Sequence, residues 1–365
     1  MHKKHVRLLI ALLAVFAFVA AACGDDDDDA TGGTGTTADG GGDGGAGADF
    51  KACEITDTGG PDDDSFNETA ANGLLQAEDD LGIEQQIIES QSESDFAPNI
   101  QAAIDAECDL VVTVGFLLGD ATAEAAEANP DQNFAIVDFA YEDPYDNIRQ
   151  LTFATDQAAF LAGYLAAGMT ETGTVGTYGG INIPTVNIFM KGFQAGIDFY
   201  NEEKGTEVSL EGWSNDTEEG LFTGDFEDQT KGRNTTRSLL DAGADIILPV
   251  AGPVGLGTIE EVKADGGGAK VIWVDTDGCF SVPDDCDVFL TSVQKRMDVA
   301  VFDTIGAAVG GEFEGGIYSG TLENDGVGIA DYQEFEDEVP QELKDEIEDL
   351  RQQIIDGDID TNPTD

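Results

Sequence analysis

Residues 53–73, CEITDTGGPDDDSFNETAANG, run from a short β-branched segment through a Gly-Gly-Pro turn and three aspartates into an Ala-rich stretch. That is a strand feeding a helix through a tight loop. The same alternation continues in EQQIIES (84–90), NIQAAIDAE (99–107), CDLVVTVG (108–115), DATAEAAEANP (120–130) and NFAIVDF (133–139). A βαβαβαβ order predicts a parallel sheet with crossover helices. After residue 155 the rhythm restarts, with strand-like TVGTYGG (174–180), TEVSLEGW (206–213), ADIILPVAG (244–252) and AKVIWVD (269–275) between longer helical segments. The expected fold is therefore α/β, in two doubly wound lobes of one kind.

Several of these strands end in small or acidic residues at a helix entrance: ITDTGG, VTVGF, IVDF, PVAGPVG and WVDTDG. Open α/β sheets bind ligands beyond the carboxyl ends of their strands, so the cleft is expected there.

The chain opens on MHKKHVRLLIALLAVFAFVAAACG, with Lys3, Lys4 and Arg7 ahead of an apolar run and small residues before Cys23. This is the layout of a secretory signal over residues 1–22, with Cys23 as a lipidation site that would anchor an exported domain on the outer face of a membrane. Residues 23–49 carry no large apolar side chain after the cysteine and read as an acidic, Gly- and Asp-rich tether. No later apolar run is long enough to span a bilayer.

The 75 acidic residues outnumber 16 basic ones, for a formal charge of −59. Such a surface repels phosphate backbones, which excludes nucleic acid as a partner, and it is the composition of proteins kept soluble in concentrated salt. Beyond Cys23, the even set Cys53, Cys108, Cys279 and Cys286 in an exported chain points to two disulfides, with three pairings open in principle. Cys279 and Cys286 bracket a short loop that closes easily. If the strands that begin near Cys53 and Cys108 are neighbours, a bridge between them lies at the sheet edge away from the cleft. No Cys-x-x-Cys is present, and both histidines fall in the signal, which argues against zinc.

Three readings compete for Asp62, Asp63 and Asp64. A calcium loop needs oxygens at alternate positions, a glycine sixth and a glutamate twelfth, and no frame here supplies them. TDTGGPDDD is similar to the N-terminal motif of calcium-dependent nucleoside hydrolases, but threonine and glycine stand where that motif has a further aspartate. The third reading is helix capping by carboxylates and Ser65, with Phe66 in the first turn facing the cleft.

The stretch TDTGGPDDDSFNETAANGL also resembles the start of the basic membrane protein family of substrate-binding lipoproteins, the purine nucleoside receptors of ABC importers. DQAAFLAGYLAAGM, GGINIPTVNIFMKGFQAGI, GDFEDQTKGR, GADIILPVAGPVGLG, WVDTD, TSVQKRMDVAVFDTI and GVGIADYQEF agree with it, from about residue 52 to 335. The resemblance implies a type I periplasmic-binding-protein fold, two lobes joined by a hinge and closing on a nucleoside. It implies that Asp57 and Asp138 touch the ligand and that Phe66 and Phe226 hold the base, with Phe222 competing for the second wall. Gly252 would let backbone approach, while Asp275 and Lys295 would hold the ribose, Asp275 being preferred to Asp277 because it ends its strand.

These readings combine into one expectation. The N-terminal lobe takes residues 50–155 plus about 276–312, and the C-terminal lobe 156–275 plus about 313–365, ending in a docked helix on Leu343, Ile347, Leu350 and Ile354. The protein is expected to be a monomeric, membrane-anchored binding component for purine nucleosides, working with an ABC permease and ATPase, with no catalysis, metal or cofactor. The alternatives are a nucleoside hydrolase, or a sensor component presenting its ligand to a membrane receptor.

Overall fold

The computed structural model describes residues 47–362; the signal segment, Cys23 and residues 24–46 of the tether lie outside the described residues. The first strands and helices are β1 (Lys51–Ile55), α1 (Phe66–Leu81), β2 (Glu84–Ile88), α2 (Phe96–Asp105), β3 (Leu110–Val114), α3 (Gly119–Ala128), β4 (Asn133–Val137) and β5 (Ile148–Phe153). The chain then crosses into α4 (Thr155–Met169), β6 (Thr174–Gly179), α5 (Pro184–Lys204), β7 (Ser209–Glu211) and the small hairpin β8 (Trp213–Ser214) and β9 (Glu219–Gly220). There follow α6 (Gln229–Asp241), β10 (Ile246–Val250), α7 (Leu256–Asp265), β11 (Lys270–Asp275), the single turn α8 (Gly278–Ser281) and β12 (Phe289–Lys295). It returns for α9 (Met297–Val309) and β13 (Gly316–Gly320), then crosses again to β14 (Val327–Ile329) and α10 (Gln341–Ile355).

Two six-stranded sheets result, in the orders β13-β5-β4-β3-β1-β2 and β14-β12-β11-β10-β6-β7. All neighbours in the first are parallel, and in the second only β14 runs antiparallel, against β12. This is the type I two-lobed arrangement, with the chain passing between lobes near Ala154, Arg296 and 321–326.

Those crossings correct the expected lobe boundaries. Residues 276–312 do not return together, because β12 pairs with β11 in the second sheet (Val274 opposite Val293), so the return begins only at α9. Beyond 312, β13 extends the first sheet rather than the second, pairing with β5. Its sequence, GIYSG, alternates exposed and half-covered residues on a sheet edge, too weak a pattern to announce a strand. The tether also ends earlier than residue 49, since Gly47 already donates its N–H to the Leu81 carbonyl (3.2 Å).

Helices α4 and α5 pack back to back beneath the second sheet, and small residues set how closely. A Cβ on Gly163 would strike the Phe193 carbonyl, and one on Gly192 or Gly196 would strike the backbone of Asp156 or Phe160. The terminal helix α10 docks as its spacing predicts, with Leu343, Ile347, Leu350 and Ile354 all buried.

Both disulfides form, Cys53–Cys108 (Cα atoms 5.9 Å apart) and Cys279–Cys286 (4.5 Å). The first ties β1 to the entry of its neighbour β3, at the sheet edge opposite the carboxyl ends. It closes a loop of 55 residues. On the chain-entropy account, replacing Cys53 and Cys108 together by alanine should cost about 4 kcal/mol of stability. Urea denaturation beside a ligand titration would check it: stability should fall while affinity for a cleft ligand stays unchanged.

Candidate functional site

At the carboxyl ends of both sheets the lobes face each other across one cavity, with about 590 Å³ of atom-free space including its mouth. The first lobe lines it with Asp57, Thr58, Asp63, Phe66, Asn67, Gly115, Phe116, Leu117 and Asp138. The second supplies Ile183, Thr185, Val186, Phe189, Phe226, Val250–Pro253, Val274, Asp275 and Lys295. All seven ligand-contact candidates, Asp57, Phe66, Asp138, Phe226, Gly252, Asp275 and Lys295, are brought together in this lining.

Chain direction explains the convergence. Asp57 follows β1, Gly115 follows β3, Asp138 follows β4 and Gly252 follows β10, while Asp275 and Lys295 end β11 and β12. At Asp138 and Asp275 the backbone turns through positive φ (62° and 70°), aiming each carboxylate across the strand ends. Such a conformation strains most side chains, though aspartate tolerates it better than most. Gly115 (φ 113°) is required for another reason: a Cβ there would lie 2.5 Å from the Asp57 carboxylate.

The three consecutive aspartates have three different fates. Asp62 is exposed. Asp63 is buried and its carboxylate accepts the backbone N–H groups of Ser65 (3.0 Å), Asn67 (2.9 Å) and Glu68 (3.0 Å), capping α1. Asp64 turns the chain at φ 55° and its carbonyl accepts the Trp273 indole N–H of the other lobe (3.3 Å). Ser65 does not cap: its hydroxyl donates across the cleft to Asp275 (3.1 Å).

Asn67 escaped the sequence reading, although it follows Phe66 directly in the SFN motif. Its amide donates to Asp57 (2.8 Å) and Asp63 (3.0 Å), and its own carbonyl oxygen is buried without a partner in the cavity wall. Phe116, from VTVGF, and Phe189, on α5, are further aromatic surfaces in the lining. The two residue choices left open also separate. Phe226 packs on Gly180 in the cavity wall, whereas Phe222 lies against Gly179 and edge-on to Trp213, outside the lining. Asp275 lines the cavity, whereas Asp277 is spent on the N–H of Cys279 (2.9 Å) and the Gln333 amide (3.2 Å).

Lys295, 2% exposed, sits at the centre of this electrostatic arrangement. Its ammonium pairs with Asp138 of the first lobe, lies 3.5 Å from Asp275 of the second, and stands 4.8 Å from the Phe66 ring centroid. Burial pulls its pKa down, but the two carboxylates outweigh that and hold it above the ordinary lysine value. Burial likewise raises Asp275, to about 6, against the pull of Lys295. Asp57 is pushed to about 8 by burial and by Asp63, Asp138 and Asp275, in spite of the Asn67 hydrogen bond. The cavity is thus rich in acceptors, with a single paired cation and aromatic faces. Among the described residues no three His, Cys, Asp or Glu side chains are grouped to hold a metal ion.

Behind the site, Glu54 of β1 is fully buried and neither carboxylate oxygen has a hydrogen-bond partner. Burial, with the charge of Asp63, moves it from 4.5 to about 8. The unfolded chain releases this proton near 4.5 and the folded chain near 8, so stability from this group falls as pH rises through that window. The limiting slope is about 1.4 kcal/mol per pH unit. Glu54→Gln should remove it, so the variant's stability relative to wild type should grow from pH 4.5 to about 8 and level off above. Denaturation curves across that range decide the matter; a constant difference between the two proteins would refute it.

Residues 50–364 match the sequence model of a family described as ABC transporter substrate-binding protein PnrA-like. Over 328 residues the chain is 32% identical to "ABC transporter nucleoside-binding protein BmpA" of Lactococcus lactis, covering 85% of this chain and 88% of that one. It is 33% identical over 303 residues to "Basic membrane protein A" of Borreliella burgdorferi, covering 82% and 84%. Among solved structures, an ABC transporter system solute-binding protein from Aeropyrum pernix superimposes with a TM-score of 0.78 at 29% identity, over 87% of this chain and 94% of that one.

Proposed function

The chain belongs to the PnrA-like family of ABC transporter substrate-binding proteins, and from that premise we propose that it captures a purine nucleoside between its lobes. It delivers the nucleoside to the importer's membrane subunits from an anchored position outside the cell. One observation carries the reading: Phe66 from the first lobe and Phe226 from the second line a single cavity together with the carboxylates of Asp57, Asp63, Asp138 and Asp275. Aromatic faces suit a planar base, and acceptors suit base N–H groups and ribose hydroxyls. Among the described residues the one lysine in the lining is already paired with Asp138, which leaves no free cation there for a phosphate and favours a nucleoside over a nucleotide.

Capture without chemistry fits the same groups. Threonine and glycine stand where a hydrolase of the similar motif has a further aspartate, and Asp57 is hydrogen-bonded to Asn67 and carries a raised pKa, both of which suit recognition by hydrogen bonds. Ligand contacts reach both lobes at once, and only such contacts can favour the closed over the open arrangement. Anchoring follows from the lipidation reading of Cys23 and the tether, and the Borreliella relative is itself named a membrane protein.

A thermal-shift screen of the purified chain tests this, at low and at molar salt because of the acidic surface. Adenosine, guanosine or inosine should raise the melting temperature, more than uridine, cytidine or free ribose, since binding to the native state alone stabilises it. Phe66→Ala and Phe226→Ala should each weaken binding by about tenfold or more, the cost of losing a base–aromatic stack. A folded protein that shifts with none of the nucleosides would overturn the nucleoside reading.

A further inference from the structure

The cleft makes no use of the disulfide loop Cys279–Cys286. It leaves the second lobe just after Asp275, at the same strand edge that carries this carboxylate into the cavity, yet contributes nothing to the lining. Its most prominent side chain is Phe280, 72% exposed; among the described residues the other exposed large apolar side chains, Leu75, Leu221 and Ile317, are 39%, 42% and 55% exposed.

Single exposed apolar residues are ordinary on a protein surface. What sets this one apart is how firmly its loop is held. The disulfide closes the loop, Asp277 accepts the Cys279 N–H (2.9 Å), and Gly278 donates its N–H to the Ser292 hydroxyl (3.0 Å). Lys263 pairs with Asp285, and Gln333 bonds Asp277 from the far side (3.2 Å). Cys279 and Val282 turn inward onto Trp273, Val288 and Phe289, which leaves Phe280 between them directed to solvent. A loop backbone held in this way has little conformational freedom left to lose on meeting a partner.

The surroundings restrict what that partner is. Asp277, Asp284, Asp285 and Asp287 lie within seven positions of Phe280 along the chain, and Lys263 is already paired. A second copy of a chain with a formal charge of −59, or an anionic membrane surface, would meet like charge at this position. An apolar socket rimmed with basic side chains would not. We infer that Phe280 is a docking knob that seats the second lobe on the membrane subunit of the ABC transporter, in such a socket beside the cleft mouth. The inference rests on the substrate-binding reading of the chain and holds whichever solute the cleft accepts.

The test uses the full-length chain with p-benzoylphenylalanine at position 280 or, as a control on the other lobe, at position 317. Each is irradiated with membranes of the source cells and the adducts are mapped by mass spectrometry. The expected result is an adduct between position 280 and an extracytoplasmic segment of the ABC membrane subunit, about tenfold above the position 317 control, the size of effect expected of an interface anchor. Unlabelled wild type should compete it away, whereas Phe280→Ser should not. Phe280→Ser should keep the nucleoside thermal shift, because the residue lies outside the cavity lining. Equal labelling from position 317, adducts only to a second copy or to an unrelated protein, or no adduct would overturn the inference. A retained nucleoside shift without the adduct overturns docking alone; the adduct without any nucleoside shift overturns the choice of ligand alone.

Discussion

A buried ammonium held between carboxylates of two lobes is the constraint on which the cleft depends. Lys295 cannot stay charged at 2% exposure without partners, and Asp275, which burial raises to about 6, is pulled back down by that ammonium. The lysine ends β12 immediately before the chain crosses back to the first lobe, so its position is set by the second sheet while its closest partner belongs to the first. Replacing one member would leave the others as uncompensated buried charge, a larger penalty than the pair's own net worth. Arginine would not substitute simply: its broad planar fork would have to fit the narrow space between Phe66, Phe189 and two carboxylates that the compact ammonium occupies.

Everything else at the strand ends makes room for acceptors that lack solvent. Gly115 stands where any Cβ would press on Asp57, and Asp138 and Asp275 take positive φ to point their carboxylates inward. Asn67 spends both amide hydrogens on Asp57 and Asp63, which orients the two acids and leaves its own oxygen unsatisfied. Buried polar atoms in folded proteins nearly always find partners. A wall with an orphan acceptor is therefore incomplete by itself, and an N–H or O–H donor placed in the cavity would complete it.

Much of this was legible in the sequence because parallel sheets place chemistry in a predictable spot. The βα rhythm located the strand ends, and the acids and glycines standing at those ends are the ones that meet in the cavity. Legibility failed where a residue's role depends on contacts from the other lobe or from a sheet edge. Ser65 read as a helix cap, but its hydroxyl is drawn to Asp275, some two hundred positions along the chain, and Asp63 caps in its place. Phe222 and Phe226 were indistinguishable by pattern; the difference is which of Gly179 and Gly180 each ring covers. The lobe boundary after 275 was misplaced because β12 is a buried strand whose sequence fits either sheet, and because the edge strand β13 has almost no apolar face to betray it.

The chain's negative charge exists in two physically distinct populations. Surface carboxylates are solvated and screened within roughly a Debye length of about 8 Å at physiological salt, so their mutual repulsion weakens as salt rises. The cleft carboxylates are buried, three of them with raised pKa values, and Lys295 pairs with two of the four, so mobile ions hardly reach them. Added salt should therefore act on the stability and solubility of the whole fold while leaving the chemistry of recognition nearly unchanged. That separation lets an extreme surface composition coexist with a cleft whose buried acids answer to their own neighbours: the surface carboxylates respond to salt, and the few acids out of its reach set the polarity of the cavity.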